Sequence, residues 1–303
     1  FGLGQLVRTY TASLKLDVSQ VGGRRVDQVI SLRFPSFAVR HRAHLCWLNH
    51  TMREYYDLWP EFSASISRRN RMKERVTRSI LHVVDRHLLK QHATRVLAQS
   101  KTIQRRLASD FGIRAEVLYP PPPQRAYRCD GYGDYILAVS RLTPHKRVDL
   151  LVRALAEPAA RGIKAVVAGD GEERAGLARL AADLGVADRV QFTGRIADAV
   201  MLDLFARCRA VCFTPIDEDY GFVTVEAFAS RKAGVTCRDS GGPAEFVVDG
   251  ETGFVCDPTA PSVAAALARL TSDAQLAGRL GTRAAARAAD MTWDAAVKSL
   301  VII

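Results

Sequence analysis

The stretch YILAVSRLTPHKRVDLLVRALAEPAARGIKAVVA, residues 135–168, decides the fold. It opens on an apolar run, Tyr135–Ser140, and passes through a short turn, Arg141-Leu142-Thr143-Pro144-His145-Lys146. It then enters Arg147–Ala156, where apolar residues recur at helical spacing, and ends on a second apolar run, Ala165–Ala168. Two short apolar runs joined by an amphipathic helix spell a βαβ crossover and a parallel sheet. The pattern continues downstream. Glu172–Leu184 reads as helix, Val190–Thr193 as strand, Asp198–Arg207 as helix and Ala210–Phe213 as strand, followed by a short helix holding Glu226–Ser230 and a strand near Gly234–Thr236. The expectation is a doubly wound α/β domain, with ligands bound beyond the carboxyl ends of its strands.

Upstream the pattern is less regular. Val26–Ser31, His44–Leu48 and Arg95–Gln99 read as strands, and Ser67–Leu88 and Lys101–Asp110 as helices. The run Tyr119–Pro123 can continue neither a helix nor a central strand, because proline lacks the amide donor and restricts its predecessor. The domains are therefore read as 1–117 and 134–303, with a proline-rich linker over 118–133. No internal repeat or low-complexity segment is evident.

Composition narrows the class. In 303 residues, 48% are apolar and 25% charged, as in a soluble globular protein long enough for two cores. No apolar run reaches the eighteen or so residues that cross a bilayer. The chain opens on Phe1 without a basic-then-apolar leader, so it reads as a fragment or processed product with no secretory signal. The net charge of +11 sits in the first 130 residues, which hold 23 Lys and Arg against 10 Asp and Glu. Such a field attracts phosphorylated substrates, nucleic acid or an anionic membrane; the alternative is a solvated arginine-rich surface. The six cysteines lack paired zinc-site spacing and read as reduced thiols of a cytoplasmic protein.

The strand-end positions carry the candidate chemistry. Arg141 and Lys146 follow the first strand, where a guanidinium fork and an ammonium suit a diphosphate, though both also suit an ordinary surface. The segment Pro215-Ile216-Asp217-Glu218-Asp219-Tyr220-Gly221-Phe222-Val223-Thr224-Val225-Glu226 places an acidic loop before a helix start at Gly221. Free amides at Phe222, Val223 and Thr224 favour a phosphate oxygen. Glu226, one turn in, can accept from a ribose diol, while Glu218 faces the sugar; an acidic helix start stabilised by the macrodipole is the bland alternative. Asp239–Pro243 reads as a glycine-rich turn, Asp249–Gly253 as a hairpin-like turn, and Trp293 as a packing anchor.

Taken together, VSRLTPHKRVDLLVRAL (139–155), VVAGDGEE (166–173), FTGRI (192–196), EDYGFVTVEAFAS (218–230) and DSGGPAEFVVDGETGFV (239–255) resemble the retaining GT-B glycosyltransferases of family 4. The segments stand in family order at family spacing. The resemblance implies two Rossmann-like domains, with Arg141 and Lys146 on the donor diphosphate, Glu226 on the ribose, and amides from Phe222, Val223 and Thr224. Glu218 matches the first glutamate of the family's paired-glutamate motif, and His50 stands where members carry an active-site histidine. The implied reaction moves a hexosyl unit from a nucleoside diphosphate sugar to a glycan or lipid-linked acceptor, with retention and without cofactor or metal. Asp217-Glu218-Asp219 spells an Asp-x-Asp signature, but lies inside the paired-glutamate segment and is read as coincidence.

Two departures qualify the implication. Nothing before Val26 supplies the family's opening strand and glycine-rich loop, so the N-terminal domain is expected to be incomplete, and an inactive nucleotide-sugar-binding module is the alternative. Gly234 stands where members usually carry proline, and is expected to weaken its strand. The basic N-terminal part is expected to meet a phosphorylated lipid carrier or the cytoplasmic face of an anionic membrane. Nucleic acid is set aside, since charge alone suggests it and no recognition motif does.

Overall fold

The computed structural model describes residues 3–301. They divide into two compact units, one running to Pro120 and resuming at Trp293, the other spanning Pro121–Thr292.

In the first unit, α1 (Leu3–Lys15) is followed by a two-residue antiparallel ladder, β1 (Gln20–Val21) with β2 (Arg24–Arg25). A parallel sheet then runs in sequence order through β3 (Val29–Arg33), β4 (His44–His50), β5 (Arg95–Ala98) and β6 (Glu116–Val117). Between β4 and β5 lie α2 (Trp59–Ser65) and α3 (Arg68–His92), and α4 (Lys101–Arg106) follows β5. Ser67 caps α3 by accepting from the Asn70 amide, and Ser100 caps α4 by accepting from that of Ile103, 3.0 Å away. Such caps satisfy amides that a helix start leaves unpaired.

Strand alternation explains both faces of this sheet. Cys46, Leu48 and Ala98 point into a core with Leu81, Leu89, Ile103 and Phe111. Their neighbours Leu45, Trp47 and Leu97 point the other way, and Ala296 and Leu300 of the last helix, α12 (Trp293–Leu300), cover them. This corrects the expectation that the second domain extends to 303. Leaving large side chains of this kind bare would cost roughly 1.5–3 kcal/mol each. Trp293 packs edge-on against Trp47 at 6.5 Å between ring centroids, and Gln28 Nε2 donates to the Leu300 carbonyl at 2.6 Å.

The second unit holds six parallel strands: β7 (Tyr135–Val139), β8 (Lys164–Ala168), β9 (Val190–Gly194), β10 (Ala210–Cys212), β11 (Gly234–Cys237) and β12 (Gly253–Cys256). Their order in the sheet is β12-β11-β10-β7-β8-β9. The chain therefore runs one way from β7 through β8 to β9, then returns to the other side of β7 with β10. Helices α5 (Val148–Ala156), α6 (Arg174–Asp183), α7 (Asp198–Arg207), α8 (Phe222–Ala229), α9 (Gly242–Phe246), α10 (Ala260–Ser272) and α11 (Ala274–Ala289) accompany them. Ile136, Ala138 and Val167 enter a core with Leu151, Leu155 and Leu267, while Leu137, Val166 and Ala168 enter another with Phe205 and Ala227. Both faces are buried, as the apolar strand sequences require.

Three expectations change here. The segment read as a linker is docked from Arg125 onward: Asp130 and Gly133 donate their amides to the carbonyls of Ala206 and Arg207, each at 2.9 Å. The Asp249–Gly253 turn does not make a hairpin, since β12 leaves it parallel to β11. The strand that Gly234 is expected to weaken, β11, is formed, buried throughout and paired on both sides. A Cβ on Gly253 would lie 1.9 Å from the Gly234 carbonyl oxygen, so these strands meet too closely there for a side chain.

Candidate functional site

The reversal of strand order between β7 and β10 creates a crevice at their carboxyl ends, where doubly wound sheets bind ligands. Lys146 ends a short 3₁₀ turn, Pro144–Lys146, that follows β7, and Glu218 lies in the loop after β10. The topology thus brings together two residues 72 positions apart. Lys146 Nζ lies 2.6 Å from Glu218 Oε2, with both side chains mostly buried, and 5.6 Å from the centre of the Phe213 ring.

The loop carrying Glu218 is fixed by its backbone. The Ile216 amide donates to the His145 carbonyl, that of Asp217 to Asp239, that of Glu218 to Ser240, and that of Gly242 back to Glu218, all at 2.8–3.0 Å. Gly241 makes this possible. Its φ is +69°, and a Cβ there would lie 2.5 Å from the Glu218 carbonyl oxygen. Arg147 braces the same loop from a left-handed backbone position, φ +51°. Its Nη1 and Nη2 each lie 2.7 Å from an Asp239 oxygen, while Nε donates to the Thr214 carbonyl at 2.8 Å and Nη2 to that of Pro215 at 3.2 Å. The Arg147 hydrogen bonds hold the Asp239 carboxyl below its usual range, against a smaller opposing effect of burial.

Beyond the loop, Gly221 initiates α8 with φ +86°. Thr224 is buried and its amide donates to the Gly221 carbonyl at 2.9 Å, so it is occupied within the turn. This corrects the three-amide expectation: Phe222, exposed, and Val223, half-buried, hold the amides that a helix start leaves open. Glu226 is 6% exposed. Arg125 Nη1 and Tyr127 Oη both donate to its Oε1, each at 2.9 Å. Burial pushes the Glu226 carboxyl up, and the Tyr127 hydrogen bond and Arg125 charge oppose that rise.

Of the other expected residues, Arg141 is exposed, and its side chain forms no hydrogen bond or ion pair among the described residues. His50 ends β4 in the first unit, with Nδ1 2.9 Å from the Thr51 carbonyl oxygen. Among the described residues no group of three or more His, Cys, Asp or Glu is gathered as a metal site.

The chain matches the family described as glycosyl transferases group 1 over residues 126–287, more than half its length. It belongs to that family. It is similar to the GDP-mannose-dependent alpha-(1-6)-phosphatidylinositol monomannoside mannosyltransferase of Mycolicibacterium smegmatis, 35% identical over 56% of this chain and 48% of that protein. It is also similar to the D-inositol 3-phosphate glycosyltransferase of Nocardia farcinica, 32% identical over 60% of this chain and 44% of the other. The chain spans about half the length of the curated relatives it matches. Among solved structures, it resembles Anabaena HepE in complex with UDP-glucose, with TM-score 0.65, 25% identity, and coverage of 73% of this chain and 66% of that one. The fold is also that of Thermosynechococcus elongatus sucrose-phosphate synthase, with TM-score 0.68, 18% identity, and coverage of 85% and 66%. The α/β architecture is thus of the GT-B glycosyltransferase type, as its motifs implied.

Arg125, Tyr127, Arg147 and Asp239 escaped the sequence reading. Arg147 and Asp239 stand inside the quoted motifs, next to Lys146 and at the head of the glycine-rich turn, so position could have flagged them. Arg125 and Tyr127 follow a proline run, where composition signals only a linker.

Proposed function

We propose that this chain carries the donor site of a retaining glycosyltransferase that moves a hexosyl unit from a nucleoside diphosphate sugar to a glycan or lipid-linked acceptor. The supporting observation is the placement of Lys146, Glu218 and the start of α8 around the crevice where strand order reverses. Arg141 and Lys146 bind the diphosphate. Lys146 has three N–H donors, so holding Glu218 with one leaves two for phosphate oxygens. The amides of Phe222 and Val223 add to the anion site, Glu226 accepts from the ribose diol, and Glu218 lies beside the sugar. The assignment of His50 to the catalytic machinery rests on the family resemblance, which places an active-site histidine at this position, the end of β4.

In the reaction, the bond from the anomeric carbon to the leaving phosphate oxygen breaks as the acceptor oxygen attacks from the same face. The acceptor proton passes to the leaving phosphate, so no enzyme nucleophile is needed. Catalysis then rests on cationic stabilisation of the diphosphate and on positioning. The relatives' names, with GDP-mannose as donor and a phosphatidylinositol mannoside as acceptor, make GDP-hexoses and phosphorylated lipids the first choices. The basic first 130 residues suit an anionic acceptor or membrane surface, and no helix among the described residues is long and apolar enough to span a membrane.

A calorimetric screen of UDP-, GDP- and ADP-sugars, with Glu226→Ala as control, tests the donor site. Failure of every nucleotide sugar to bind refutes it. Product NMR then reads retention at the anomeric carbon, and binding without transfer to any acceptor supports a binding module that does not turn over.

A further inference from the structure

Glu226 is a buried carboxylate with an uneven set of partners. Arg125 and Tyr127 both donate to Oε1, at 2.9 Å each. Oε2 has no hydrogen-bond partner among the described residues, and it is not one of the buried atoms sealed without a partner. An arginine often takes both oxygens of a carboxylate with its fork. Arg147 does so with Asp239 in the same unit, at 2.7 Å to each oxygen. At Glu226 a second donor, the Tyr127 hydroxyl, is stacked on the oxygen already taken. The second oxygen is left open.

The two donors come from one short segment, two residues apart, just after the proline run. That segment does not hang loose. Arg125 Nη2 also approaches Asp198 Oδ2 at 3.5 Å, at the first residue of α7, and Asp130 is tied to α7 through the Ala206 carbonyl. The clamp on Glu226 is therefore tied to a second helix as well as to α8.

We infer that Arg125 and Tyr127 are positioning residues for the donor nucleotide: by holding Glu226 Oε1 they aim Oε2 at the ribose 2′- and 3′-hydroxyls. This rests on the reading of Glu226 as the ribose ligand and adds what makes that ligand competent. A buried glutamate without these donors would favour its neutral form or turn its open oxygen toward other donors, and its hydrogen bonds to a diol would weaken.

The test uses the full chain and measures binding of GDP and UDP, and of their 2′,3′-dideoxy forms, by titration calorimetry. Tyr127→Phe should weaken binding of the better-bound diphosphate about three- to tenfold, the worth of one hydrogen bond acting through the carboxylate. For its dideoxy form the loss should shrink to less than about twofold, because no diol remains for Oε2 to hold. The same substitution made in a Glu226→Ala background should change nothing further, the coupling being the signature of a shared role. Arg125→Ala should behave like Tyr127→Phe, and Arg125→Lys should restore part of the loss.

Equal weakening for the ribose and dideoxy nucleotides would show a merely structural role and overturn the inference. Tighter binding in Tyr127→Phe would show that the segment occupies the diol position, and would overturn it too. If the unaltered chain binds neither GDP nor UDP, the donor-site reading itself falls and takes this inference with it. Nucleotide binding with no coupling to Glu226 removes the inference alone.

Discussion

Each unit of the chain buries one carboxylate under two donors, and the two arrangements differ in a telling way. In the first unit, Asp85 lies in the core with Tyr10 Oη donating to one oxygen and Tyr56 Oη to the other, the latter at 2.7 Å. Each oxygen has its own partner, both partners are neutral, and nothing is left open. In the second unit, Glu226 has both donors on one oxygen, one of them cationic. A carboxylate satisfied on both sides is a cross-link. One satisfied on a single side, on the helix that starts beside a strand-end crevice, has an oxygen left for a ligand.

The widest break of this contrast is Asp85→Ala. It strands two buried tyrosine hydroxyls, each worth about 1–3 kcal/mol when left unpaired. Urea denaturation should show a loss of about 2–5 kcal/mol, with nucleotide binding by the surviving folded protein unchanged. Glu226→Ala is the mirror image. Arg125 and Tyr127 are only half-buried, so water can replace the carboxylate and stability should fall less than in Asp85→Ala, while donor binding weakens roughly 10- to 100-fold, the range of a hydrogen bond to a charged group. A large stability loss in Glu226→Ala with intact nucleotide binding would erase the distinction.

The pH dependence sharpens the same comparison. Burial pushes the Asp85 carboxyl up to about 7, against the pull of the Tyr10 and Tyr56 hydrogen bonds. Its value in the unfolded chain is about 3.9. Between the two, the folded protein holds a proton that the unfolded chain has released. Stability from this group therefore falls as pH rises through that window and levels off above about 7. Unfolding midpoints of the unaltered protein should drop from pH 5.5 to 7.5, by roughly 1–2 kcal/mol. Asp85→Asn, which cannot ionise, should flatten that slope. A slope that persists unchanged in the variant would assign it elsewhere.

How far the sequence revealed these two regions follows from the physics of each. The second sheet was legible because its strands are buried on both faces and read as unbroken apolar runs, from Tyr135–Val139 to Ala210–Cys212. The meeting of Lys146 and Glu218 at one crevice was foreshadowed because both follow strand ends of such a sheet. The reach of α12 back to the first sheet was not, since a helix records an apolar face but not which sheet covers it. Nor were the clamps. Tyr10 and Asp85 stand 75 residues apart, and Tyr127 and Glu226 stand 99 apart, with no local period linking either pair. Thr224 shows the same limit at short range: helix position announced a free amide, and the turn at Gly221 had already taken it.

The smallest expected effect comes from a third carboxylate that lies between these extremes. Asp239 has both oxygens engaged, like Asp85, but by one arginine, and its side chain is 43% exposed. Exposure lets water replace a lost partner, so Asp239→Asn should cost less than about 1 kcal/mol of stability. Asparagine still presents one oxygen to the guanidinium, and the Asp239 carbonyl that accepts from the Asp217 amide is untouched. What changes is the grip on Arg147, whose other bonds, to the Thr214 and Pro215 carbonyls, hold the strand exit leading to Glu218. A looser exit should weaken donor binding only about two- to threefold, because the backbone bonds of Glu218 to Ser240 and Gly242 survive. Loss on the scale of Glu226→Ala would instead put Asp239 or Arg147 in direct contact with the donor. That outcome would redraw the site around the arginine rather than around the α8 carboxylate.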